Sequence, residues 1–91
     1  MLLVNMQIFI HLPYAQSLKG RRKIVHSIKE KLKKYNLSIL DLSREYIKEA
    51  EMAVAFLATN KKEISKKIDK IESTLENYIA EIEYQIDYEI L

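Results

Sequence analysis

The sequence predicts a ferredoxin-like α+β sandwich, with two helices on one face of a four-stranded antiparallel sheet. Three observations predict it. Apolar residues alternate with period two over residues 2–11 and again over 80–90. Apolar residues at helical spacing fill residues 18–35 and 64–78. Two further stretches, 37–42 and 51–59, have strand composition, giving the order strand, helix, strand, strand, helix, strand. Amphipathic helices and half-buried strands bury their apolar sides against each other, so two helices cover one sheet face and leave the other open.

The first strand places Leu2, Val4, Met6, Ile8 and Ile10 on one face and Leu3, Asn5, Gln7, Phe9 and His11 on the other. Pro13 ends it, because proline cannot donate to a ladder. Ser17 is an N-cap candidate for the first helix. At ~100° per residue, Leu18, Ile24, Val25, Ile28, Leu32 and Tyr35 share its core arc. Asn36 ends the helix, and residues 37–42 form a short strand whose inward face the pattern does not choose. Residues 43–49 are polar, a loop or a single helical turn.

Met52, Val54, Phe56 and Ala58 then face one way, with Ala53, Ala55 and Leu57 opposite, as in a strand near the middle of a sheet. Asn60 followed by Glu63 reads as a capping box for the second helix. Its stripe is Ile64, Ile68, Ile71, Leu75 and Tyr78. From residue 80 the period returns to two. Ala80, Ile82, Tyr84, Ile86, Tyr88 and Ile90 face inward, and Glu81, Glu83, Gln85, Asp87 and Glu89 face outward. The open face then carries this acidic row beside Asn5, Gln7, Phe9 and His11 of the first strand, its expected neighbour.

Ninety-one residues make one domain, residues 1–91, whose size buries roughly 60–65% of the unfolded surface in a single core. There is no cysteine, so disulfides and cysteine zinc sites are excluded. No run approaches the ~18 apolar residues of a membrane-spanning helix. The first sixteen residues are apolar but lack a basic n-region, so no signal peptide is expected. A cytoplasmic location is expected.

Charge is strongly polarised. Residues 17–34 carry eight lysines and arginines against the single acid Glu30, whereas residues 71–91 carry six acids and no lysine or arginine. Lys19, Arg21, Arg22 and Lys23 crowd the start of the first helix, where cations oppose the macrodipole at about 0.3–1 kcal/mol each. A helix start enriched in Arg and Lys is a phosphate site. Arg22, Lys29 and Lys33 share a narrow arc that can follow a phosphate backbone. Arg21 stands inside the apolar arc. An unpaired buried guanidinium is too costly, so it snorkels past the sheet end, pairs with a carboxylate, or meets a ligand anion. The anion- or RNA-binding candidates are therefore Lys19, Arg21, Arg22, Lys23, Lys29 and Lys33. The interface candidates on the open face are Phe9, Glu83, Gln85 and Asp87.

Enzymatic signals are lacking. No P-loop, GxGxxG, GxSxG or HExxH spacing occurs, and His11 and His26 lie on different elements. A non-enzymatic protein without metal or cofactor is expected. Base stacking on the open sheet face is disfavoured, since Phe9 alone stands beside an acidic row. The tyrosines read as packing residues.

Ser17-Leu18-Lys19-Gly20-Arg21-Arg22, then Val25, Ser27 and Ile28, then Asn36-Leu37-Ser38, resembles the signature of the YlxP-like family of small bacterial proteins of unknown function. His11-Leu12-Pro13 matches the end of that family's first strand. The resemblance spans essentially the whole chain and implies a ferredoxin-like fold. It also implies a link to translation, because the family's genes often lie beside translation and ribosome-maturation factors. The chain departs from the pattern at residues 41–50. Asp41, a shorter loop, Tyr46 and Lys48-Glu49-Ala50 stand where relatives have an acid, a loop and a Trp before Arg-Ala. The function expected is contact with RNA or a ribosomal particle through the first helix. The alternative is a homo-oligomeric interaction or regulatory domain that uses the acidic open face.

Overall fold

The structure, a computed structural model, describes residues 1–91. Strand β1 is Leu2–His11 and helix α1 is Leu18–Leu32, tightened by a 3-10 turn at Lys33–Tyr35. Strands β2 (Ser38–Asp41) and β3 (Glu49–Ala58) follow, then α2 (Lys61–Tyr78) and β4 (Glu83–Ile90). The sheet order is β2-β3-β1-β4, antiparallel throughout, which is the ferredoxin-like arrangement. β1 and β4 are neighbours, as expected.

Alternation decides what is buried. Val4, Met6, Ile8 and Ile10 of β1 pair in register with Phe56, Val54, Met52 and Ala50 of β3, and all eight lie in the core. Val25, Ile28 and Leu32 of α1, with Ile64, Ile71 and Leu75 of α2, close the layer above them. A fully buried aliphatic side chain contributes about 1.5–3 kcal/mol, so these two facing stripes supply most of the fold's stability.

Three local expectations change, and one open choice is settled. Leu18 is 44% exposed, standing at the first position of α1 and outside the packed core. Residues 43–48 take the loop alternative and Glu49 already opens β3; Ser43 Oγ closes the loop by accepting from Glu51 N at 3.1 Å. β4 begins at Glu83 instead of residue 80, because Glu81 adopts the left-handed conformation (φ 56°) and breaks the extended run. Tyr88 and Ile90 take the core-side face yet stay 51% and 39% exposed, since β4 is an outer strand and neither side chain belongs to the packed core.

Candidate anion-binding surface

Ser17 has extended backbone (φ −155°), and its Oγ accepts from Gly20 N at 3.0 Å, starting α1 as an N-cap. No acid occupies the first turn. A Cβ at residue 20 would stand 3.2 Å from that Oγ, so glycine leaves the cap room. One residue later Arg21 is only 6% exposed. Its Nη1 donates to the Tyr46 carbonyl at 2.9 Å and the Glu49 carbonyl at 3.2 Å. Arg21 takes none of the three expected fates: its guanidinium satisfies one carbonyl of the β2–β3 loop and one at the start of β3.

This corrects the expected surface. Arg21 is a buried clamp whose Nη1 is occupied, and it leaves the set of exposed anion contacts. A second cation works the same way. Lys48 Nζ donates to the carbonyls of Pro13 (2.7 Å) and Ala15 (3.4 Å), and Leu12 N donates to Lys48 O at 2.7 Å. The loops on either side of the helix start are thus tied together, and Ser17, Gly20 and Arg21 are accounted for structurally.

The remaining cations face water. Lys19, Arg22, Lys23 and Lys33 are exposed and Lys29 is half-buried. His26, Lys29, Glu30 and Lys33 edge a furrow of about 340 Å³ that reaches Leu37 and Ile39 beside β2. A second row of cations is not foreseen in the sequence. Lys31 Nζ lies 4.8 Å from the Tyr78 ring centroid, and Lys67 Nζ lies 4.9 Å from that of Phe56. Lys34 and Lys70 both sit over Tyr35, at 5.3 and 5.7 Å. Lys31, Lys34 and Lys70 line the valley between the helices, and Lys67 stands over β3, each held by a ring face. Tyr35 bonds Thr74 at 3.2 Å. That bond, with the charges of Lys34 and Lys70, pulls the Tyr35 phenol below its ordinary value against the opposing effect of burial. Lys34 beside Tyr35 in the chain was the one sequence signal of these contacts.

The whole chain makes one ion pair, Lys33 Nζ to Glu30 Oε1 at 3.3 Å, with both side chains well exposed. Fifteen lysines and arginines and thirteen acids would pair often if mixed. Here the signs are separated between residues 17–34 and 71–91, while residues 35–70 mix them. On the open face, register places His11 between Glu49 and Glu83, Phe9 between Glu51 and Gln85, and Gln7 between Ala53 and Asp87. Phe9 is half-buried, and Glu83, Gln85 and Asp87 are exposed. On the β4 flank of α2, the Tyr84 hydroxyl stands 3.0 Å from Glu72 Oε2 and 2.6 Å from Glu76 Oε1. Burial first, then these two carboxylates, raise the Tyr84 phenol far above its ordinary value. No three His, Asp or Glu side chains converge as metal ligands.

Comparison with known proteins adds the following. The family model described as "Protein of unknown function (DUF503)" matches residues 3–88. No curated protein matches the chain. Among solved structures, the designed protein Foldit4 is 16% identical over 97% of this chain and 94% of its own, with a TM-score of 0.58. A designed ferredoxin-fold protein, LFR1 1, is 16% identical over 99% and 85%, at 0.61. A dimeric ferredoxin-like protein from an uncultured marine organism is 13% identical over 100% and 94%, at 0.54. Likeness at this identity establishes the fold alone. Two of the three were designed de novo, so the architecture itself carries no function.

Proposed function

The chain belongs to the DUF503 family, whose function is unknown, and from that premise we propose a non-enzymatic cytoplasmic module that binds RNA through its helix layer. The observation that carries this reading is the separation of charge. Lys33 pairs with Glu30, and the other cations on the exposed side of α1 make no ion pair and are free to meet phosphates. Lys19, Arg22, Lys23, Lys29 and Lys33 form the contact, and the valley lysines widen it. Selection for stability alone would favour acids at the start of α1. The resemblance to the YlxP-like family supports the RNA of a ribosomal particle as the natural target.

The test is fluorescence anisotropy with single-stranded and duplex RNA across salt. About four phosphate contacts give a slope of log K against log salt near −3 on single strands. Replacing Arg22, Lys23, Lys29 and Lys33 by Glu abolishes both the binding and the slope. RNA affinity unchanged by that replacement overturns the reading. A second reading, self-association across the open face, draws on the exposed Leu40 and Leu57 around Ala53 and Ala55. A strictly monomeric light-scattering mass at millimolar concentration excludes it.

A further inference from the structure

β4 is the outer strand of the sheet, and its free edge can be read residue by residue. Leu91 N donates to Leu3 O at 2.9 Å, continuing the register that pairs Asn5 with Glu89 and Gln7 with Asp87. In an antiparallel ladder, alternate residues point their backbone groups to opposite edges. Glu83, Gln85, Asp87 and Glu89 therefore turn their N–H and C=O groups toward β1. Tyr84, Ile86, Tyr88 and Ile90 turn theirs outward, where no strand receives them.

Natural edges are blunted by lysine, proline, bulges or brevity. β2, the opposite edge, is short at four residues. β4 has eight residues, contains no lysine or proline, and pairs with β1 without a bulge from Glu83 to Ile90. Tyr88 and Ile90 also leave apolar surface beside it.

The charge of this edge selects the occupant. Glu83, Asp87 and Glu89 stand on the open face, and Glu72 and Glu76 stand on the α2 flank above the other face. A second copy of β4 is disfavoured. Antiparallel registers that align faces over most of the strand set Asp87 opposite itself, or Glu83 opposite Asp87 or Glu89, and like charges directly opposite destabilise a pair. A strand bearing cations at alternate positions meets acids on the open face and keeps its apolar residues beside Tyr88 and Ile90.

We propose that β4 is a docking edge for an extended lysine- or arginine-rich polypeptide segment, which adds to the sheet as a fifth strand. The surface is separate from the cationic helix layer and does not rest on the RNA reading.

The probe is a capped eight-residue peptide alternating lysine and valine, added to the ¹⁵N-labelled full chain. At saturation, amide exchange of Tyr84, Ile86, Tyr88 and Ile90 slows at least tenfold. The double variant Asp87→Lys, Glu89→Lys weakens the peptide Kd at least tenfold. Tyr88→Pro removes one outward N–H without breaking the β1 ladder and weakens it about fivefold. If Tyr88→Pro unfolds, a peptide with proline at alternate valines tests the same bonds from the other side and binds at least tenfold more weakly. Absence of saturable binding overturns the proposal. So does equal affinity for the proline-bearing peptide, or binding that leaves the four exchange rates unchanged.

Discussion

Replacing Arg21 by Met tests whether this residue holds the fold or holds a ligand. Methionine keeps much of the aliphatic stem and removes both hydrogen bonds to the Tyr46 and Glu49 carbonyls. A hydrogen bond from a charged donor is worth about 1.5–3 kcal/mol net. The shorter bond, at 2.9 Å, lies in the favourable range, and the longer, at 3.2 Å, at its margin. Recovered desolvation of the guanidinium offsets part of the loss, leaving about 3 kcal/mol of destabilisation. For a domain of this size each kcal/mol moves Tm by about 4–8 °C, so the melt falls by about 12–24 °C. Circular dichroism melts of wild type, Arg21→Met and Arg21→Lys measure this. Lysine keeps the charge but lacks the planar fork, so it falls between the two. At temperatures where Arg21→Met is folded, its RNA affinity stays within twofold of wild type. A Tm change under about 3 °C together with lost RNA binding refutes the clamp and restores Arg21 as a ligand contact.

Three further outcomes follow from single residues. Glu81→Gly relieves a left-handed backbone (φ 56°) that costs a side-chain-bearing residue about 1–2 kcal/mol; after glycine's extra unfolded-state entropy, the net gain in a denaturant titration is about 0.5–1 kcal/mol. Ser17→Ala removes the α1 cap and costs about 1 kcal/mol in the same assay. Tyr84 is protonated more tightly in the fold than in the unfolded chain, whose phenol titrates near 10. Its contribution is therefore complete below pH 10 and is lost as pH climbs above it, because the unfolded state gives up the proton first. Alkaline melts of Tyr84→Phe fall less steeply above pH 10 than those of wild type, and absorbance at 295 nm shows one fewer late-titrating phenol.

The parts of the fold legible in the sequence are those set by local period. The even residues of β1 and the stripe from Ile64 to Leu75 sit where alternation and helical spacing place them, because burying one apolar face stabilises each element more than anything else it does. Boundaries were less legible. The start of β4 depends on one left-handed residue, Glu81, which hydropathy does not register. Arg21 was legible as a misfit on the apolar arc. Its resolution was not, because the carbonyls it meets lie 25 and 28 residues away, in the β2–β3 loop and at the start of β3, whose path only the assembled sheet defines. The valley lysines were hidden for the same reason: Lys70 reaches Tyr35 across two helices. The exposed cations of α1 were readable from sequence because surface charge needs no partner to be placed.

The position of β1 also has a consequence for the order of synthesis. This first strand is fully edged only when both β3 and β4 exist, since it pairs with one on each side. During translation β3 emerges well before β4, and at about 5–20 residues per second the interval lasts on the order of seconds. Throughout it, one edge of the central strand Leu2–His11 stands open on the nascent chain. Truncations that remove β4 make that interval permanent. Such chains are expected to aggregate through β1, and a C-terminal tag that slows release prolongs the vulnerable state.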